Sequence, residues 1–422
     1  MNDTRTRSAL PLALVMSGCV LAAGTLPATA QDPNKPEDLP VKERKRPELD
    51  PVGLREGNVF FYPSISVAEA YVSNVFATEN NEQDDFVTYV TPALNVQSMG
   101  TEGSWWAAVK ADIGLYASET DENFVDGSAR VGATYDVIAD GTVNGGLGYS
   151  RLHEDRSSPD DAGGSEPTVY YRGDAEAGYT HRFNRLNAGI GLVARHFDYD
   201  DTDIVGGSRD NSDRNRLETE EAVRLGYEVS PDIEVFGRGA LIQWLYEDDT
   251  DRNGLDRNAN GYRVDAGVSA NLTGLLTVEA TVGYLTMDYD DDSLSSTEGV
   301  AAGVRAIWNV TRLTTITATL DREVQATTVN GASSRFDTLS EVQVDHELLR
   351  DLIVSAKAGY LNSEFDGTSR EDDRFNYGVS ADYYVTQGVK LSASATRDER
   401  DSNAPGADFT RDVVLFRLTY GM

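Results

Sequence analysis

The chain has almost no cysteine. Cys19 is the whole complement in 422 residues, and it lies in an apolar leader. If the leader is cut after Ala30, the rest of the chain has neither a disulfide framework nor a thiol nucleophile. Long apolar runs are missing too. No stretch of about 18 apolar residues follows the leader, which excludes a membrane-spanning helix. Positive charge is scarce: 37 Lys and Arg stand against 70 Asp and Glu, a formal net charge of −33. Loss of residues 1–30 removes one acid, Asp3, and two bases, Arg5 and Arg7, and takes the charge to −34. That balance excludes nucleic acid as a partner, because binding a phosphate backbone needs basic surface.

Catalytic signatures are also lacking. There are four His, and neither H-E-x-x-H nor G-x-S-x-G occurs. His153 with Asp155, or His196 with Asp198, would be the raw material of a hydrolase at a barrel rim. Without a nucleophile motif these read as ordinary surface groups, and the expectation is that the protein is not an enzyme and holds no cofactor.

What is present begins with an export signal. Arg5 and Arg7 precede the apolar stretches 10–15 and 20–26, and Ala28, Thr29 and Ala30 form an A-x-A cleavage site before Gln31. Residues 16–19, Met-Ser-Gly-Cys, resemble a lipoprotein processing box, so lipidation at Cys19 competes with cleavage after Ala30. Residues 31–57 carry Pro33, Pro36, Pro40, Pro47 and Pro51 and a basic cluster over 42–46. This composition predicts a flexible or extended periplasmic tail with a solvated basic cluster.

From Val59 the chain keeps one beat to its end. In residues 261–272, Tyr262, Val264, Ala266, Val268, Ala270 and Leu272 alternate with Arg263, Asp265, Gly267, Ser269 and Asn271. Period two describes a strand with one apolar and one wet face. About eighteen such segments follow one another, each near the roughly 9–11 residues that a tilted strand needs to cross hydrocarbon. Short connectors follow the even-numbered segments and long ones rich in Asp, Asn, Ser and Gly follow the odd. The pattern predicts an all-β fold: a closed antiparallel up-and-down transmembrane β-barrel over 58–422, with short periplasmic turns and long outer loops. In Ile233–Tyr246 the apolar residues change face, so a bulge near residues 237–239 is expected. The ambiguity of that segment leaves sixteen strands as the alternative count. Aromatics near segment ends, among them Trp105, Trp106, Tyr149, Tyr227, Trp308 and Tyr420, suit interfacial girdles.

By parity the inward faces hold Lys110, Arg130, Arg172, Glu176, Glu220, Arg224, Arg263, Arg305, Glu341, Lys357 and Arg417. A barrel of 16–18 strands leaves room for water, so these charges line a channel or brace its wall. An acidic excess in the loops predicts a cation preference at the mouth. One loop, Asp249, Asp251, Asn253, Gly254 and Asp256, begins like a Ca2+-binding loop. Its twelfth position is Asn260, where such a loop needs a bidentate Glu, so it is a weak metal candidate.

The stretch 46–57, R-P-E-L-D-P-V-G-L-R-E-G, leads to Pro63, Ser64 and Ile65 and then to Ser73, Asn74, Val75 and Phe76. It resembles the opening of the putative β-barrel porin 2 family, bacterial outer-membrane barrels. The resemblance implies a passive channel or export conduit in a Gram-negative outer membrane, with surface polysaccharide as a cargo for some members. Expected partners are outer-membrane lipid and lipopolysaccharide, the barrel-assembly machinery and polysaccharide-export components. The rival reading is a non-conducting structural or adhesion barrel, its lumen plugged or salt-bridged. Such barrels often end in an aromatic residue; here Tyr420 precedes Gly421 and Met422.

Overall fold

A computed structural model of the chain describes residues 39–204 and 206–422. The leader, with Cys19 and both processing sites, lies outside the described residues. Eighteen antiparallel strands form one closed wall. They are β1 (Val59–Val72), β2 (Asp85–Met99), β3 (Gly103–Tyr116), β4 (Phe124–Ile138), β5 (Gly141–His153), β6 (Val169–Phe183), β7 (Leu186–Tyr199), β8 (Arg216–Ser230) and β9 (Ile233–Tyr246). The second half is β10 (Ala259–Leu272), β11 (Leu276–Tyr289), β12 (Thr297–Thr311), β13 (Thr314–Ala326), β14 (Ser334–Leu349), β15 (Leu352–Phe365), β16 (Glu371–Thr386), β17 (Val389–Ser402) and β18 (Phe409–Gly421). Each strand pairs with the next, and β18 returns to β1, from Ser64 opposite Gly421 to Val72 opposite Val413. Closure leaves no free edge strand, so the backbone donors and acceptors of the wall are consumed within it except where β12 and β13 part at the long-loop end.

The ends of the barrel differ sharply. Connectors at one end are two or three residues long; at the other they run from five to sixteen. Tight turns put Asp140, Asn184 and Gly388 at positive φ, where Gly, Asn and Asp bear the strain best. The expected bulge in β9 is absent. Its register with β8 and β10 runs unbroken through residues 237–239. The apolar residues change face because Trp244, with Ile242 and Tyr246 beside it, joins an internal cluster with Ala259, Leu285, Met287, Ala301, Val324 and Phe336. Pairing of β12 with β13 stops at Ala302 and Arg322, although both strands continue.

Alternation sets the two faces of the wall. Ile65, Val131, Leu147, Ile190, Val223, Val264, Val300, Val379 and Phe416 point outward and are exposed. This apolar face does not reach the long-loop end. On β17, Leu391, Ala393 and Ala395 give way to Arg397, Glu399 and Asp401; on β18, Tyr420 through Val414 give way to Asp412. The wall therefore stands taller than its apolar band. Trp105 and Trp106 part company: Trp105 keeps the outward parity, whereas the Trp106 indole packs over Gly132 on the inner face, so it is no girdle residue.

Residues 39–57 are not a free tail. Leu54–Glu56 pairs back onto Val59–Phe61. Val41 and Arg46 are buried against the barrel. The expectation of a solvated basic cluster fails because carboxylates of later strands meet it: Lys42 pairs with Asp345 and Arg46 with Glu347, each at 3.0 Å.

Candidate functional site

The inner face is polar, and its charges come in cross-strand and same-strand pairs. Arg224 meets Glu234 at 2.6 Å, Lys357 meets Glu341 at 2.6 Å and Lys110 meets Asp112 at 2.6 Å. Arg172 pairs with Asp174 at 3.1 Å, Arg263 with Asp265 at 2.8 Å, and Glu220 with Arg238. Glu176 lines a recess with Asn144, Glu279 and Thr281, opened by the missing side chains of Gly178 and Gly191. Arg130 and Arg305 are exposed on the inner face, and Arg417 is half-buried there with no hydrogen bond at Nε. All eleven expected residues share the inward parity of their strands. Most stand in pairs, which is what a low-dielectric wall demands of charged groups.

The main feature of the lumen lay outside that set. The connector 154–168, between β5 and β6, crosses the long-loop end and is anchored on distant parts of the wall. Glu154 receives Arg214 at 2.8 Å, just before β8. Asp155 receives Arg411 of β18 at 3.3 Å. Arg156 donates to Glu122, between β3 and β4, at 2.9 Å through Nε. The Ser157 carbonyl accepts from Arg400 of β17 at 2.9 Å. Asp160 accepts from Arg335 of β14 and from Thr327 and the Thr328 amide, each at 2.7 Å. These anchors surround the barrel, so a connector that reaches all of them spans its bore.

The electrostatics fit a docked loop. Burial opposes ionisation of Asp155, but Arg411 and hydrogen bonds from Ser157 outweigh it and hold the carboxyl well below its usual range. Asp160 is likewise buried, and Arg335 and Arg214 with the Thr327 and Thr328 donors lower it. Glu154 goes the other way: burial raises it despite Arg214. Three guanidiniums, of Arg374, Arg400 and Arg411, lie 4.8–5.9 Å from the Phe409 ring beside this contact.

The other expected sites are not assembled. His153 turns to Asp126 at 3.0 Å with its ring tilted against Phe124, while Asp155 belongs to Arg411. His196 takes Glu247 at 2.9 Å and Asp198 takes Asn215 at 3.1 Å. In the loop resembling a calcium site, Asp251 accepts from the Asn253 and Leu255 amides and from Arg257 at 2.7 Å. Its carboxylate is therefore committed to a turn and a cation already in the chain. Among the described residues no three His, Cys, Asp or Glu gather as a metal site.

The model of the family described as putative beta-barrel porin 2 matches residues 46–421. The chain belongs to the putative β-barrel porin 2 family. The match runs from the Arg46 segment through the closing strand, so the resemblance read at the start extends over the whole porin barrel. Solved structures similar to this porin include Acinetobacter baumannii OccAB4 (12% identity, TM-score 0.45, 86% of this chain and 98% of that one). Pseudomonas aeruginosa OpdL is 10% identical, with a TM-score of 0.43, over 87% and 99%. The P. aeruginosa ferric enterobactin receptor is 6% identical, with a TM-score of 0.45, over 86% and 80%. No curated protein matches the porin's sequence.

Proposed function

We propose that this porin is a passive channel of a Gram-negative outer membrane, exported by its cleaved leader, and that solutes pass a charged constriction at connector 154–168. The observation that carries this is the connector's position across a polar, charged bore. The exposed apolar band supplies the lipid-facing wall, and the charged collar above it faces lipopolysaccharide. The constriction carries both signs, Glu154, Asp155 and Asp160 against Arg214, Arg335, Arg400 and Arg411, and so discriminates by charge and width together. The acidic outer loops favour cations at the approach. The family resemblance adds surface polysaccharide as a cargo class to test.

A second reading has one observation behind it: the same connector is pinned at several walls, as in a barrel closed at rest. Single-channel recording in a planar bilayer separates the two. The channel reading expects discrete openings and a cation-selective reversal potential in a salt gradient. A folded barrel without conductance overturns it in favour of the closed barrel. Sugar polymers that block the current would support the polysaccharide cargo.

A further inference from the structure

The short-turn end carries a second internal element, and the channel reading does not need it. Residues 39–51 run along the inside of the rim from β13 to β18, a third of the circumference. The Val41 amide donates to Thr315 Oγ1 at 2.9 Å. Lys42 reaches Asp345 and Arg46 reaches Glu347, both at 3.0 Å, and Arg44 donates to the Arg312 carbonyl. Thr315, Asp345 and Glu347 share the inward parity of their strands, so the segment sits within the bore and does not lie across the outside of the turns. Farther along, the Arg46 guanidinium lies 5.5 Å from the Tyr384 ring, Arg350 pairs with Glu48 at 2.8 Å, and the Gly388 amide donates to the Leu49 carbonyl at 2.9 Å.

Two features set this seat apart from the wall. Barrel closure runs through β18 and β1 and uses none of these contacts. The attachment is mostly polar: ion pairs and single hydrogen bonds hold it, and Pro40 and Val41 are the two buried apolar residues between 39 and 51. A segment held mainly by charge can leave without exposing a core. Salt acts on its exposed pair, Arg350 with Glu48, as the screening length shortens from about 10 Å at 0.1 M to about 3 Å at 1 M, and far less on the buried Arg46–Glu347 pair.

We infer that residues 39–51 are a charge-held latch that narrows the periplasmic mouth of the channel and swings out of the bore when its ion pairs break. The inference rests on the channel reading for its current but not for its seat. Two measurements on the full-length protein purified from membranes keep these apart. The first is trypsin cleavage within residues 42–45. The docked segment resists at low salt, whereas Glu347→Arg, which sets a cation against buried Arg46, is cut. The exchanged pair Arg46→Glu with Glu347→Arg regains protection. The second is unitary conductance, which rises in Glu347→Arg and returns to the parent value in the exchanged pair. A segment cut equally in parent and variants overturns the latch. Conductance unchanged while the segment becomes cleavable overturns its place in the solute path. A barrel silent in every form overturns the channel reading, and trypsin then decides the latch alone.

Discussion

At the scale of residues, Asp160 holds the constriction. One carboxylate takes an amide, a hydroxyl and a guanidinium from two elements of the opposite wall. In Asp160→Ala the Thr328 amide loses its acceptor and Arg335 loses one of its carboxylate partners. Leaving a buried donor such as that amide unsatisfied costs roughly 1–3 kcal/mol. The expected outcome is an undocked connector, read as new trypsin cleavage after Arg156, which is buried in the parent. Acid should do the same, with a sign that can be worked out. Asp155 and Asp160 titrate below their ordinary value of 3.8 when docked, so their contribution is complete above that value and is lost as pH falls below it. Glu154 is raised by burial, so its protonation favours the docked form. The cleavage rate after brief incubation should therefore not rise between neutral pH and about 5, and should rise only below about 4. A rise between pH 7 and 5 would contradict this assignment.

At the scale of elements, the turns at the short end make the tightest demands. Gly388 sits at φ +73° between β16 and β17, and a Cβ there would overlap the Gly421 carbonyl oxygen of the closing strand. A left-handed non-Gly residue alone costs on the order of 1–3 kcal/mol. Gly388→Ala should lower the urea midpoint of the barrel and its yield in the membrane fraction, whereas the same change at Gly239, with open space around it, should have little effect on either. Strands were legible in the sequence because period two is a local signal, visible in β10 from ten residues. Strand β9 misled because its inward residues near Trp244 are apolar, and only the through-space neighbours Leu285 and Met287 explain why. Segment 39–51 misled for a related reason. Proline and charge read as a tail, but the seat is built by Thr315 and Glu347, far away in the chain. The anchors Arg335, Arg400 and Arg411 did leave a trace: each continues the inward parity of its strand beyond the apolar band.

At the scale of the whole molecule, the two faces of the wall should respond oppositely to charge. Val379 is outward and exposed within the apolar band; Ser394 faces the bore on the neighbouring strand. Val379→Arg should destabilise folding into lipid vesicles by roughly 2–4 kcal/mol, the cost of Arg near the midplane on a lipid face. Ser394→Arg should leave folding nearly unchanged and shift the reversal potential away from cations. Equal folding losses at the two sites would contradict the assigned faces.

The anchors of connector 154–168 are also spread through time. The connector leaves the fifth of the eighteen wall strands, yet Arg400 and Arg411 belong to the last two strands. Contacts so distant along the chain form late in folding. The latch has the same dependence, since its partners begin at Arg312 and end at Gly388. The connector must therefore wait for β17 and β18, and the latch for the strands and turns from β13 to β17, so the bore is filled only after the second half of the wall has been laid down.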